Sequence, residues 1–190
     1  GMIGIVDYGM GNLRSVAKAV EHLGSSVYVG SDPKRLSHAE KLILPGVGAF
    51  GDAMRELKKR GLISFLLDYV EQNKPLLGVC LGLQLFFEKS AESPGVKGLG
   101  IWKGFVRRFP SRKNARLKIP HMGWNAVRFK KSSPLTSQVR SNSYFYFVHS
   151  YYAEPADKSL IVGETDYGIR FPVALASGNI FAVQFHPEKS

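Results

Sequence analysis

Pro75-Leu76-Leu77-Gly78-Val79-Cys80-Leu81-Gly82-Leu83-Gln84-Leu85-Phe86-Phe87 decides how this chain is read. It reads as a short apolar strand, a one-residue corner at Cys80 and then a helix. Gly78 and Gly82 stand two residues before and two after the cysteine, the spacing of a nucleophile elbow. There the strand-to-helix turn is tight, and flanking glycines let backbone come close without a side-chain clash. Such a corner lifts a sulfur to the top of a sheet at a helix N-terminus, where dipole and free N–H groups favour thiolate over thiol. A lone cysteine is otherwise most simply a buried structural residue; the bracketing glycines favour the elbow.

Upstream, strand-like and helix-like patterns alternate. Ile3-Gly4-Ile5-Val6 is a compact apolar run, followed by the loop Asp7-Tyr8-Gly9-Met10-Gly11-Asn12. Leu13, Val16, Ala17, Val20 and Leu23 then recur at helical spacing, predicting a helix over 13–23. Arg14 occupies the place of the third glycine of a dinucleotide fingerprint, so a cofactor reading of this loop is weak. Val27–Val29 and Leu42–Leu44 predict further strands, the latter running into the glycine-rich turn Pro45-Gly46-Val47-Gly48. Helices are expected from about Asp52 and over 62–72. Both loops follow strands, where open α/β sheets place their ligands.

Downstream the pattern changes. Ser90 to Gly100 reads as a loop, and short β-type segments follow at 105–107, 124–129, 144–149, 160–163, 173–175 and 180–185. The expected fold is α/β: an open, mostly parallel central sheet with helices on both faces and an antiparallel β extension in the C-terminal half. No linker composition divides the chain, so 2–190 reads as one domain. Gly1, ahead of Met2, reads as a remnant of tag removal.

Composition narrows the classes. The 190 residues suit a single core, and 44% apolar with 22% charged content is that of an ordinary globular protein. Cys80 is the only cysteine, which excludes an intramolecular disulfide and a cysteine-rich metal site and fits a reducing cytoplasm. No run approaches the length of a membrane span or a signal peptide. The net charge of +11 is concentrated at Lys103, Arg107, Arg108, Arg112, Lys113, Arg116, Lys118, Arg128, Lys130 and Lys131, with no acid between 103 and 131. That block reads as a solvated face, an acidic protein's partner or a nucleic-acid surface, in that order, since no nucleic-acid-binding motif accompanies it.

A thiolate nucleophile needs a base, and the base needs an orienting group. His22 and His38 read as surface residues; for His121 and His149, packing or interface roles outweigh a place near the site. His186 ends an apolar strand, with Glu188 two residues on and Pro187 between them. In an extended segment residues i and i+2 project to one side, so the carboxylate can hold one imidazole nitrogen while the other faces the sulfur. Thioester chemistry also needs oxyanion donors. The N–H of Leu81 and the turn 46–48 are the natural candidates.

Pro-Gly-Val-Gly, Gly-Val-Cys-Leu-Gly-Leu-Gln and Phe-His-Pro-Glu, in this order, resemble the class I (triad) glutamine amidotransferases, from Ile3 to the end of the chain. Asp7–Leu13, Pro120–Asn125 and Tyr146–Tyr151 are similar to the glutaminase subunits of imidazole glycerol phosphate synthases in particular. The resemblance implies glutamine hydrolysis without a cofactor, with ammonia passed to a (βα)8-barrel cyclase partner in a heterodimer. It makes Cys80 the nucleophile, His186 the acid/base and Glu188 its orienter, with Val47 and Leu81 as oxyanion donors. Gly48, Gln84, His149, Ser150 and Tyr151 would line the glutamine site; Asn12, Trp124 and Lys189 would face the partner. Another amidotransferase of this class is the nearer alternative, and a non-catalytic basic binding module on the same fold the more distant one. Members of the family usually continue past His-Pro-Glu into a helix, whereas this chain stops at Ser190, placing Glu188 near a terminus.

Overall fold

A computed structural model describes residues 1–110, 118–131, 133 and 143–189. Its first half runs β1 (Met2–Val6), α1 (Arg14–His22), β2 (Ser26–Gly30), α2 (Pro33–Leu36), β3 (Lys41–Leu44), α3 (Phe50–Lys59), α4 (Leu62–Glu71), β4 (Leu76–Val79) and α5 (Leu81–Leu85). The second runs β5 (Lys89–Ser90), β6 (Gly104–Arg108), β7 (His121–Phe129), β8 (Ser143–His149), β9 (Tyr151–Pro155), β10 (Ile161–Asp166), β11 (Arg170–Ser177) and β12 (Ile180–Val183). Single 3-10 turns lie at Lys158–Leu160 and Pro187–Lys189.

Nine of these strands form one sheet in the order β2-β1-β3-β4-β12-β11-β10-β7-β8. From β2 to β12 the pairs are parallel, and from β12 to β8 antiparallel. This is the α/β sheet with an antiparallel extension that the alternation predicts. Period-two alternation divides β1 between two cores. Ile3 and Ile5 pack with Val16 and Val20 of α1 on one face. Val6, Leu42 and Leu44 meet Phe50, Leu57 and Leu66 of α3 and α4 on the other. A smaller sheet, β5-β6-β9, flanks the large one.

One pairing positions the site. β12, the last strand of the chain, lies beside β4 with Val183 opposite Val79. The residues after β12 and the corner after β4 therefore emerge at the same edge.

Several elements differ from the sequence reading, among them the unexpected α2 and β5 and a β7 that begins at His121, and two of the differences lie close to the site. The helix after Cys80 is only five residues long, because the next turn's carbonyls are taken by incoming backbone: Leu99 N–H donates to Leu85 O at 2.8 Å and Trp102 N–H to Phe86 O at 3.0 Å. Phe86 and Phe87 leave the helix to pack on Trp102, with ring centroids 5.5 and 5.9 Å away. The other is β9, which pairs with β6 and was not foreseen. No helix among the described residues is long and apolar enough to cross a membrane.

Candidate active site

Cys80 sits at φ 57°, ψ −111°, a conformation that non-glycine residues avoid, and its N–H is tied to Val183 O at 2.8 Å. The strain of an elbow is thus present at the residue between the two glycines. Gly82 is required by contact: a Cβ there would lie 1.9 Å from Leu44 O. Absence of that side chain lets α5 butt against the end of β3. Cys80 is 5% exposed and opens into a cavity of about 360 Å³. Val47, Gly48, Leu81, Gln84, His149, Ser150 and Tyr151 share that lining, as do Glu92 and Pro120.

His186 is buried, and its backbone N–H donates to Tyr146 O at 3.0 Å, a bridge from the end of the chain to β8. Its Nδ1 lies 2.9 Å from Glu188 Oε1. The route to that contact differs from the expected extended segment. β12 ends at Val183, and residues 187–189 form a 3-10 turn closed by Lys189 N–H to His186 O at 3.2 Å. A carboxylate only accepts, so Nδ1 carries the hydrogen and Nε2 is left for proton exchange. Among the described residues Nε2 is buried with no well-formed hydrogen bond. Burial alone would lower the imidazole's pKa; Cys80 and then Glu188 outweigh it and push it up to about 9. Burial would likewise raise Glu188, but the hydrogen bond from His186 holds its carboxyl below the usual range.

The other side of the sulfur is closed. Leu81 N–H donates to Gly46 O at 3.2 Å, and Val47 N–H donates to Met10 O at 3.1 Å. One peptide, Gly46–Val47, therefore occupies both expected oxyanion donors, its carbonyl on one and its own N–H turned away. The loop after β1 holds it: besides Met10, Tyr8 donates its hydroxyl to Pro45 O at 2.6 Å. Burial, with a smaller contribution from Cys80, raises the Tyr8 phenol and keeps it a donor.

His149 lines the cavity, and His121 is bonded to its ring. His149 Nδ1 lies 2.8 Å from Tyr151 O, which only accepts, so Nδ1 carries the hydrogen. His149 Nε2 must then accept from His121 Nδ1 at 2.8 Å, and His121 Nε2 accepts from Asn125 Nδ2 at 3.2 Å. Burial pushes His121 down to about 4 and His149 down to about 3, so both are neutral in this chain of bonds. His22 and His38 are exposed, as expected.

Trp124 is 55% exposed and stands edge-on to Tyr146 at 5.8 Å, with Lys189 Nζ 4.4 Å from the same ring's centroid. Met122 and Tyr144 extend this exposed apolar face. Asn12 is exposed, and its side chain caps the N–H of Arg14 at 3.0 Å. Within the basic block, Arg107 pairs with Glu154 at 2.5 Å, Lys130 with Glu164 at 2.7 Å, and Arg128 lies 3.8 Å from Asp166. Carboxylates from neighbouring strands thus answer three of the ten cations of the block. Arg112, Lys113 and Arg116 lie outside the described residues.

Sequence reasoning missed Glu92, Tyr8 and Gln184. Glu92 sat in a loop without pattern; it caps α3, accepting from Phe50 N–H at 2.8 Å. Gln184 did carry a signal, as the single polar side chain in the apolar run 180–185. No group of three or more His, Cys, Asp or Glu able to hold a metal occurs among the described residues.

Residues 4–190 match the family model "Glutamine amidotransferase class-I". The chain is 50% identical over 188 residues to the imidazole glycerol phosphate synthase subunit HisH of Moorella thermoacetica, covering 99% of this chain and 88% of that one. It is 52% identical to the same subunit of Aromatoleum aromaticum (99% and 91% covered) and 46% identical to that of Bacillus subtilis (100% and 90%). A solved glutamine amidotransferase superposes at TM-score 0.78 with 19% identity over 100% of this chain and 92% of that one. PurLQS from Thermotoga maritima superposes at 0.74 with 19% identity, covering 98% and 87%. A strained elbow cysteine and a glycine turn lining one cavity, with a paired His-Glu on the neighbouring strand's end, thus occur in a chain that belongs to the class I glutamine amidotransferase family.

Proposed function

We propose that this chain is the glutaminase subunit of an imidazole glycerol phosphate synthase. It hydrolyses L-glutamine to glutamate and ammonia, and ammonia passes to a (βα)8-barrel cyclase in the cytoplasm for histidine biosynthesis. The observation that carries this reading is the convergence of Cys80 and the His186–Glu188 pair at one edge of the sheet, beside a cavity of about 360 Å³.

Cys80 gives its proton to His186 Nε2, and the sulfur forms a bond to the amide carbon of the glutamine side chain. The carbonyl electron pair moves onto oxygen. His186 returns the proton to nitrogen, the C–N bond breaks, ammonia leaves and a thioester remains. Water then adds to the thioester carbon while His186 takes its proton. Collapse of the second oxyanion breaks the C–S bond, His186 returns its proton to the departing sulfur, and glutamate is freed. Glu188 holds the ring in the tautomer that serves both steps and stabilises the imidazolium. Gly48, Gln84, His149, Ser150 and Tyr151 line the bound glutamine, and Glu92 offers the wall a carboxylate suited to its α-ammonium.

Both oxyanions need the N–H groups of Val47 and Leu81. Turning the Gly46–Val47 peptide over frees both at once: the carbonyl leaves Leu81, and the Val47 N–H leaves Met10. Glycines at 46 and 48, at φ 153° and 119°, permit such a rotation. Asn12 shares a loop with Met10, so a partner seated on Asn12, Trp124 and Lys189 acts on the peptide through that loop. Trp124 is the natural anchor in a pocket of the barrel.

The test is glutamate release from glutamine, with and without the cyclase subunit and its nucleotide ligand. The reading predicts release that needs Cys80 and rises when the cyclase is added. No rise removes the subunit assignment; no release under any condition removes the glutaminase one.

A further inference from the structure

The short α5 leaves the sulfur with little helix dipole, and one buried side chain stands close to it. Gln184, 1% exposed, places Nε2 at 3.8 Å from Cys80 Sγ. From the structure we infer that Gln184 donates an N–H to the Cys80 sulfur and so supports its thiolate beside the charge of His186. The role in turnover rests on the glutaminase reading above.

Which end of an amide faces the sulfur decides the matter, because the carbonyl end would oppose a thiolate and the NH2 end would favour it. Neighbouring groups settle the orientation. Tyr151 O is a backbone carbonyl and can only accept. Gln84 reaches it at 3.4 Å, so that end of the Gln84 amide is the NH2 group. The same Nε2 lies 3.2 Å from Gln184, which must therefore present Oε1 there. With Oε1 committed to Gln84, Nε2 of Gln184 is the end that faces Sγ. Tyr151 O is itself fixed from its other side by the His149 N–H at 2.8 Å. A polar residue in the middle of an apolar run is thus held in one orientation by a buried chain of bonds that ends on the nucleophile. A hydrogen bond to an ionised acceptor is stronger than one to its neutral form, so the contact favours the charged sulfur.

The test uses the full chain, in which Cys80 is the only thiol, so alkylation by neutral iodoacetamide reports this sulfur alone. In Gln184→Met the donor is lost at similar length. The alkylation profile is expected to move to higher pH by about one unit, with rates about tenfold slower on its acid side. Gln184→Glu keeps an acceptor for Gln84 and turns a carboxylate oxygen toward the sulfur; its profile moves further the same way. With the cyclase partner present, kcat for glutamine falls about tenfold in Gln184→Met. A Gln184→Met profile that overlays the wild type overturns the inference. Should the variants unfold, the wild type decides: the ¹⁵Nε2 side-chain signal of Gln184 should move with the alkylation midpoint and stay still in Cys80→Ala. A wild-type signal that stays still across the titration also overturns it. Alkylation and the NMR signal involve no glutamine, so a failure to hydrolyse glutamine would remove the glutaminase reading and leave this contact to stand or fall by itself.

Discussion

The two sides of Cys80 are built differently. On the acid/base side, His186 and Glu188 are joined at 2.9 Å and locked by a 3-10 turn and a bridge to β8. On the oxyanion side, each N–H in the expected position is spent on a carbonyl. In the proposed reaction the base is already held by its orienting carboxylate, while charge stabilisation would wait on a single peptide. The two halves also fail differently. A side-chain pair can be lost by substitution, whereas a peptide between glycines can be switched by a neighbour without changing composition or core. Regulation is more economical where two hydrogen bonds hold the inactive form than where a buried pair would have to be taken apart.

Removing what both sides serve should have the largest effect. Cys80→Ala is expected to abolish partner-stimulated glutamate release, by roughly 10⁴-fold or more, with the fold intact by circular dichroism. Retained turnover would break the comparison at its centre. Next comes the closed side: adding the cyclase and its ligand should raise kcat by roughly 10² to 10³, the worth of a restored oxyanion donor. A rise under about threefold would mean that the Gly46–Val47 peptide is not the brake.

Glu188→Gln probes the ready side. The partner carboxylate helps push His186 up to about 9, so the imidazolium persists to about that pH. Its loss should move the alkaline limb of the kcat/KM profile to lower pH by roughly one unit and cost roughly tenfold near the old limb. An unmoved limb would reduce Glu188 to a packing role.

The smallest effect is one of stability. His121 at about 4 and His149 at about 3 lie below the ordinary 6.5, so the unfolded chain binds more protons between these values. Their contribution is full above pH 6.5 and is lost as pH falls toward 4. His186 has the opposite sign: its contribution is full below 6.5 and is lost as pH rises through about 9. The melting temperature should therefore fall between pH 7 and pH 5, and His121→Phe should flatten that fall. An equal slope in both proteins would place the acid sensitivity elsewhere.

The sequence made some of this legible and left the rest hidden, for physical reasons. Gly78 and Gly82 around Cys80 report a steric demand, and steric demands leave residue types behind. Apolar runs and helical apolar spacing report burial, which is why β1 to β4, α1, α3 and α4 could be placed. The direction of the Gly46–Val47 peptide leaves no such mark, since either orientation suits the same glycines. β9 was missed because Tyr151-Tyr152-Ala153-Glu154-Pro155 follows β8 across Ser150 with no glycine, proline or asparagine to signal a break. The five-residue α5 was overestimated because Phe86 and Phe87 continue the apolar pattern while packing on Trp102, a contact invisible locally.

Cys80 is also the one thiol in this sequence. If an oxidant converts it to a sulfenic acid, no second thiol within the chain can condense with it, and recovery depends on a small thiol arriving from outside. The 5% exposure of the corner is then its shelter, and any opening of the cavity for substrate also admits peroxide. Oxidation at this single atom would then be enough to stop the proposed reaction.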